Sequence, residues 1–206
     1  PDGDKIVFYS ERINPSQIFI INKDGSGLKQ ITNTTGIDDV NRYPTWFPDG
    51  KKIIYTGKRS ASFFIFIANL DGIIEQQIYS SLSPRQGSIS PDGNYVIFDV
   101  EFGYLSRMNI NTGLFEKVTT NIFNSGNSWS PDGSQIAFSN GSTISVGNPY
   151  AYNVFSNIYS PSSSYPCWTP DSKKIIFSSS SYGICSVNTD GSDLKILTNI
   201  PGDNSP

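Results

Sequence analysis

Apolar residues along this chain come in short runs. Examples are DKIVFYS at 4–10, QIFIIN at 17–22, KKIIYTG at 51–57, FIFIAN at 64–69 and KKIIFSS at 173–179. β-Branched and aromatic side chains dominate them, and clusters of Gly, Pro, Asn and Asp end them, which is the signature of strands joined by turns. No stretch places apolar residues at i, i+3, i+4 and i+7 over about three helical turns. The pattern predicts an all-β chain of short strands, four to seven residues each, with at most a trace of helix.

The runs repeat. The tripeptide Pro-Asp-Gly, or a close variant, begins at Pro1, Pro48, Pro91, Pro131 and Pro170, the last reading Pro-Asp-Ser. The intervals are 47, 43, 40 and 39 residues, the length of a four-stranded propeller blade. Two places ahead of four of these prolines stands a bulky apolar residue: Trp46, Ile89, Trp129 and Trp168. A strand follows each tripeptide, then a second strand. A second turn comes next in four repeats (NKDG, NLDG, NTG, NTDG), and a short closing strand such as LKQIT, EKVTT or LKILT ends the unit. Proline presets φ in the first turn and glycine takes its left-handed position; the Asp-Gly turns make a second hairpin. Each unit is predicted to be a four-stranded antiparallel meander, A to D, apolar on both faces and so buried only by stacking on its neighbours. The fourth repeat carries VGNPYAYNVF in place of an Asp-Gly turn, which predicts a different C–D connection.

The segments YPTWFPDGKKIIY, GNSWSPDGSQIAF, YPCWTPDSKKIIF, NKDGSGLKQIT and NTDGSDLKILT resemble the TolB-like propeller repeat, a relative of the WD-repeat propellers. The likeness spans essentially the whole chain. It implies one β-propeller domain over 1–206, with approximate repeats 1–42, 43–85, 86–124, 125–163 and 164–206. It also implies a six-bladed ring: either five of its repeats are present here as a fragment of a longer chain, the preferred reading, or the two ends close one blade between them. The first repeat starts at its tripeptide and is expected to lack strand A. One architecture carries many functions, so the fold alone names none.

Composition narrows the chemistry. Net charge is −3 with 15 scattered Lys and Arg, which argues against a nucleic-acid partner. The densest apolar stretch, SFFIFIANL at 62–70, is shorter than a bilayer-spanning helix, and no signal peptide stands out. There is no histidine, which removes the Ser-His-Asp triad and the usual zinc sites. The predicted inner strands YPTWF, QGSIS, GNSWS and YPCWT hold no Asp or Glu, against a propeller glycosidase with paired carboxylates. The chain therefore reads as no enzyme, with no catalytic residue, no metal ligand and no cofactor.

Several residue sets carry a structural and a functional reading. The motif aspartates Asp2, Asp49, Asp92, Asp132 and Asp171 are expected to cap their own turns rather than hold metal. The three tryptophans are expected to pack between blades rather than form a ligand shelf, since Ile89 substitutes at the same position. Cys167 and Cys185 fall on strands A and C of one repeat, with strand B between them. Two strand spacings, about 9.5 Å, exceed the roughly 7 Å reach of a disulfide, so both are expected to be buried free thiols. The D-to-A connections NTTGIDDVNR, YSSLSPRQ, TNIFNSGN and SNIYSPSSS vary most, and the candidate binding residues are there: Asp38, Asp39, Arg42 and Arg85. The two arginines share one repeat position, six residues ahead of the motif proline. They are expected to face the same way at the channel mouth, where guanidiniums can take a carboxylate.

Two functions remain in view. The first is a non-enzymatic scaffold that binds a protein or peptide partner at the channel mouth. The TolB-like resemblance implies an envelope lipoprotein as the partner and a periplasmic or extracellular compartment. The alternative is the substrate-gating propeller of a larger prolyl-oligopeptidase-like peptidase or hydrolase.

Overall fold

Every described Pro-Asp-Gly turn in the computed structural model is built the same way. The aspartate carboxylate accepts the backbone N–H two residues on: Asp4 to Asp2 at 3.0 Å, Lys51 to Asp49 at 2.9 Å, Asn94 to Asp92 at 3.0 Å, Ser134 to Asp132 at 2.9 Å and Lys173 to Asp171 at 3.1 Å. The third residue then turns left-handed, at φ 67° for Gly50 and 75° for Gly133. Ser172 adopts the same region at φ 59°, where a side chain costs energy that glycine does not. The structure describes residues 2–36, 38–80, 82–100, 103–120, 126–160 and 162–198.

Nineteen strands and no helix form among these residues. Sheet 1 holds β1 (Lys5–Ser10), β2 (Gln17–Asn22) and β3 (Lys29–Gln30). Sheet 2 holds β4 (Val40–Trp46), β5 (Lys52–Arg59), β6 (Ser62–Asn69) and β7 (Ile74–Ser80). Sheet 3 is β8 (Pro84–Ile89), β9 (Tyr95–Val100), β10 (Tyr104–Asn109) and β11 (Phe115–Lys117). Sheet 4 is β12 (Asn127–Trp129), β13 (Ile136–Asn140), β14 (Thr143–Gly147) and β15 (Phe155–Tyr159). Sheet 5 is β16 (Ser163–Trp168), β17 (Lys174–Ser179), β18 (Gly183–Asn188) and β19 (Lys195–Ile196). In each sheet the strands lie in chain order, and the registered pairs are antiparallel.

Sheet 1 has three strands, as expected for a unit without strand A. Strand lengths depart from the expected four to seven: β5 and β6 reach eight residues, while β3 and β19 have two. The C–D connection of sheet 4 is the loop 148–154, closed by the Asn148 N–H on the Val154 carbonyl at 3.0 Å. The chain divides into two compact units, residues 1–89 and 90–206.

The cores lie where consecutive sheets face each other. In the first unit Ile18, Ile20 and Ile31 of sheet 1 meet Ile53, Tyr55 and Phe66 of sheet 2. In the second, Ile97, Leu105 and Val118 meet Trp129, Ile136 and Phe138, and Ala137, Ile144 and Val146 meet Trp168, Ile175 and Phe177. One formula therefore serves three junctions. The residue five places after the motif proline faces the preceding sheet, and the next residue faces the following one. Trp129 and Trp168 are buried in these cores and Trp46 packs against one, so they are packing residues. The Trp168 indole N–H also donates to the Ser128 carbonyl at 3.0 Å, tying sheet 5 to sheet 4.

Cys167 on β16 and Cys185 on β18 are unbonded, with β17 between them. Cys185 is buried as expected. Cys167 is only half-buried, a correction; it stands at the register shift between Ser164 and Cys167, where β16 departs from regular alternation. Burial pushes both thiols above the ordinary cysteine range.

Candidate functional site

The candidate residues Asp38, Asp39, Arg42 and Arg85 all lie in the first compact unit. The connection assignment needs correction for both arginines. Arg42 sits on β4, opposite Thr56, and Arg85 sits on β8. The cause is the length of β5: it extends past Thr56 to Lys58 and Arg59, and so recruits Val40, Asn41 and Arg42 into pairing. Adjacent first strands are held together here by the Thr45 hydroxyl, which donates to the Gly87 carbonyl at 2.8 Å.

Asp38 is exposed. Asp39 is largely covered and works on the chain itself. Its carboxylate accepts the Ser60 N–H at 3.3 Å and lies 3.8 Å from the Arg59 guanidinium, while its own N–H closes a turn on the Gly36 carbonyl at 3.0 Å. Arg59 is the organiser of this corner. It donates to the carbonyls of Val40 and Lys58 at 3.1 and 2.9 Å and to Asn41 Oδ1 at 2.8 Å, and it lies 4.6 Å over the Phe66 ring. Asn41 is fully buried and donates to Gln17 Oε1 at 3.1 Å and Thr34 Oγ1 at 3.0 Å. Each buried polar group in this network has a partner, which is what makes burial tolerable. It anchors the base of the loop that carries Asp38 and Asp39.

Arg42 is partly exposed: its guanidinium pairs with exposed Glu11 at 2.8 Å, while its Nε is buried with no hydrogen-bond partner among the described residues. Tyr43 follows at φ 55°, left-handed and at the register shift between Arg42 and Thr45. A bulky residue in that region is uncommon, and bulges re-aim side chains. Its ring meets exposed Tyr9 edge-on, centroids 5.7 Å apart. Arg85 is exposed on β8. The site thus gathers an ion pair, an aromatic pair and an exposed carboxylate over a rigid polar base. Glu11, Tyr43 and Arg59 were not singled out by the sequence reading. The recurring Tyr-Pro of YPTW and YPCW was the available signal, since Tyr165 is also left-handed at φ 53°.

Among the described residues of the second unit, two hollows share Tyr150. One, about 270 Å³, is lined by Arg107, Glu116 and Tyr152 among others. The other, about 370 Å³, is lined by Ser90, Asp92 and Asp132. Arg107 lies 5.1 and 5.0 Å from the rings of Tyr95 and Tyr150, donates to the Pro149 carbonyl at 2.8 Å and pairs with Glu116. Its guanidinium is spent on holding the 148–154 loop. The Ser90 and Ser130 hydroxyls hold the carboxyls of Asp92 and Asp132 below the usual range. No group of three potential metal ligands occurs among the described residues, and no helix there is long and apolar enough to cross a membrane.

Comparison with known proteins agrees with this geometry. TolB from Acinetobacter baumannii superposes with a TM-score of 0.71 at 22% identity, over 93% of this chain and 50% of that one. A protein assigned as TolB from Agrobacterium tumefaciens gives 0.70 at 21% identity, over 95% and 71%. At these identities the likeness is one of fold, and the chain spans half the length of the Acinetobacter protein. No curated protein sequence matches it. The family model of the TolB beta propeller domain matches residues 1–145, and with all five tripeptide turns built alike, the chain belongs to the TolB β-propeller family.

Proposed function

We propose that the chain is a non-enzymatic scaffold that binds a protein or peptide partner through the face carrying Asp38, Asp39, Arg42 and Arg85. The observation that carries this reading is the bulge at Arg42–Thr45. It holds Tyr43 in a strained left-handed conformation beside the partly exposed Arg42 and against an exposed tyrosine. Strain of this kind persists where the surroundings over-determine it, and it clusters at functional sites. Tyr and Arg are also the residue types that dominate protein-binding hot spots. The Arg59–Asn41–Gln17 network supplies the rigid base such a surface needs. Asp39 serves in this base, and Asp38, Arg42, Arg85 and Tyr43 make contact. A periplasmic or extracellular setting with an envelope lipoprotein as partner is part of the proposal, and the match to the TolB family supports it.

The test is a peptide-display selection against the wild-type chain, with the selected peptides then measured on variants. Arg42→Ala with Arg85→Ala, and separately Tyr43→Ala, should weaken binding about tenfold or more. Peptides bound equally by a folded double variant would place the binding surface elsewhere.

A further inference from the structure

An asparagine N–H closes the C–D connection of every sheet. Asn22 donates to the Ser26 carbonyl, Asn69 to Ile73, Asn109 to Leu114, Asn148 to Val154 and Asn188 to Ser192. The accepting residue lies four positions on in three sheets, five in sheet 3 and six in sheet 4. The extra length in sheet 4 is Pro149-Tyr150-Ala151-Tyr152, where sheet 2 has only Leu70-Asp71 ahead of its glycine. Tyr150 and Tyr152 are 51% and 58% exposed. A loop that departs from its own repeat is where a scaffold carries added chemistry. This loop is also held still. Asn148 Oδ1 accepts the Tyr150 N–H at 2.8 Å, the Asn153 N–H donates to the Val118 carbonyl of sheet 3 at 2.7 Å, and Arg107 donates to the Pro149 carbonyl at 2.8 Å. The Tyr150 ring stands edge-on to Tyr95 and Trp129, at 5.6 and 5.9 Å.

We propose that the two hollows sharing Tyr150 are neighbouring subsites for an uncharged oligosaccharide. A sugar ring has an apolar C–H face, which lies on an aromatic ring, and a rim of hydroxyls that both donate and accept hydrogen bonds. The hollows offer both complements. The one of about 270 Å³ sets Tyr150 and Tyr152 beside the Glu116 carboxylate and the Lys117 ammonium. The one of about 370 Å³ sets Tyr150 beside the Ser90 hydroxyl and the carboxylates of Asp92 and Asp132. Asp132 gives Oδ1 to its own turn, and its Oδ2 has no partner among the described residues. Both volumes lie at the small end of ligand pockets, about 300–1,000 Å³, which suits one sugar ring each. Three carboxylates against the two cations Arg107 and Lys117 disfavour an acidic sugar. A peptide strand fits less well, because Asn148, Tyr150 and Asn153 already spend their backbone N–H groups on the fold. The site lies in the second compact unit and uses none of Asp38, Asp39, Arg42 or Arg85.

Titration of the isotope-labelled chain with cellotetraose, maltotetraose and N-acetylated chitotetraose, followed by amide chemical shifts, tests this. At least one sugar should bind with a dissociation constant of about 1 mM or tighter, with the shifts centred on Lys117, Tyr150 and Tyr152. Tyr152→Ala, at an exposed side chain, should weaken binding about tenfold or more, while Tyr152→Phe, which keeps the ring face, should retain most of it. Replacing residues 149–153 by the Leu-Asp-Gly of sheet 2 should abolish binding. Circular dichroism checks the fold of each variant, and Tyr152→Ala decides alone if the loop replacement does not fold. The proposal is overturned if none of the three sugars shifts these amides, if the shifts centre elsewhere, or if Tyr152→Ala binds as the wild type does. Tighter binding of tetragalacturonate, an acidic probe, would overturn it too, as would a display-selected peptide that occupies these amides in preference to the sugars.

Discussion

Trp129 and Trp168 occupy one repeat position in adjacent sheets of the same compact unit, and both are nearly buried, yet they differ in one bond. The Trp168 N–H donates to the Ser128 carbonyl at 3.0 Å. The Trp129 N–H is buried and has no partner among the described residues. Replacing either with phenylalanine removes a similar apolar volume, so the difference between the two costs isolates the N–H. Trp168→Phe forfeits a net hydrogen bond, about 0.5–1.5 kcal/mol. Trp129→Phe instead relieves an unsatisfied buried donor, a gain of about 1–3 kcal/mol against the volume lost. Trp168→Phe should therefore be the worse substitution by about 1.5–4.5 kcal/mol. Alanine at either site should cost about 3–5 kcal/mol, as large aromatic truncations do. Urea unfolding followed by far-ultraviolet circular dichroism is the assay, because it does not depend on the fluorophore being removed. Equal costs for the two phenylalanine variants, or a larger cost at Trp129, would refute the assignment.

Gly72→Ala should destabilise the first unit well beyond Gly25→Ala, since both are left-handed but only Gly72 meets a backbone carbonyl; Gly25→Ala should cost about 1–2 kcal/mol, and equal midpoints in thermal melts would contradict the packing. The motif aspartates Asp2, Asp92, Asp132 and Asp171 have folded pKa values below the ordinary one, through a backbone N–H on Asp2 and through Ser or Thr hydroxyls on the others. Their contribution is fully present above the unfolded value of about 3.9 and is lost as pH falls through the lowered folded values. Asp132→Asn should accordingly flatten the acid limb of a urea-midpoint against pH profile, and an unchanged limb would count against it. Thiol titration should find both cysteines in denaturant; in the native protein, half-buried Cys167 should react faster than buried Cys185.

The meanders were legible because the repeat is stated five times and each statement is local. A Pro-Asp-Gly turn is decided by four consecutive residues, so Asp49 or Asp171 could be assigned as a cap without knowing the rest of the fold. Burial of Trp168 was legible for a related reason: stacked blades repeat one junction, so a position apolar in every repeat faces a neighbour. Strand ends were less legible. β4 begins at Val40 only because β5 runs on to Arg59 and offers it partners, and that depends on two segments at once.

The site resists sequence reading for the same physical reason. Arg42 and Arg85 could be matched by their spacing from the motif proline, but whether such a residue is loop or strand depends on its pairing partner. Glu11 lies in a different sheet's connection, 31 positions from its partner Arg42, and neither local pattern nor repeat position links the two. Arg59 looks like one more surface charge next to Lys58, yet its donors hold three backbone or amide oxygens across two strands. Tyr43 could be matched to Tyr165 as part of a recurring Tyr-Pro pair, but the left-handed conformation both adopt is imposed by a register mismatch with the next strand that no local pattern states. Residues that obey the repeat build the scaffold and are readable one repeat at a time. Glu11, Arg42 and Arg59 have partners outside their own repeat position, so their roles exist only once the sheets are paired, whereas the Tyr43 bulge recurs at Tyr165, also left-handed at a register shift. Tyr43 tests this directly. If the bulge serves the partner rather than the fold, Tyr43→Gly, which removes the left-handed strain, should raise stability slightly while abolishing peptide binding; a loss of stability together with unchanged binding would make Tyr43 a structural residue.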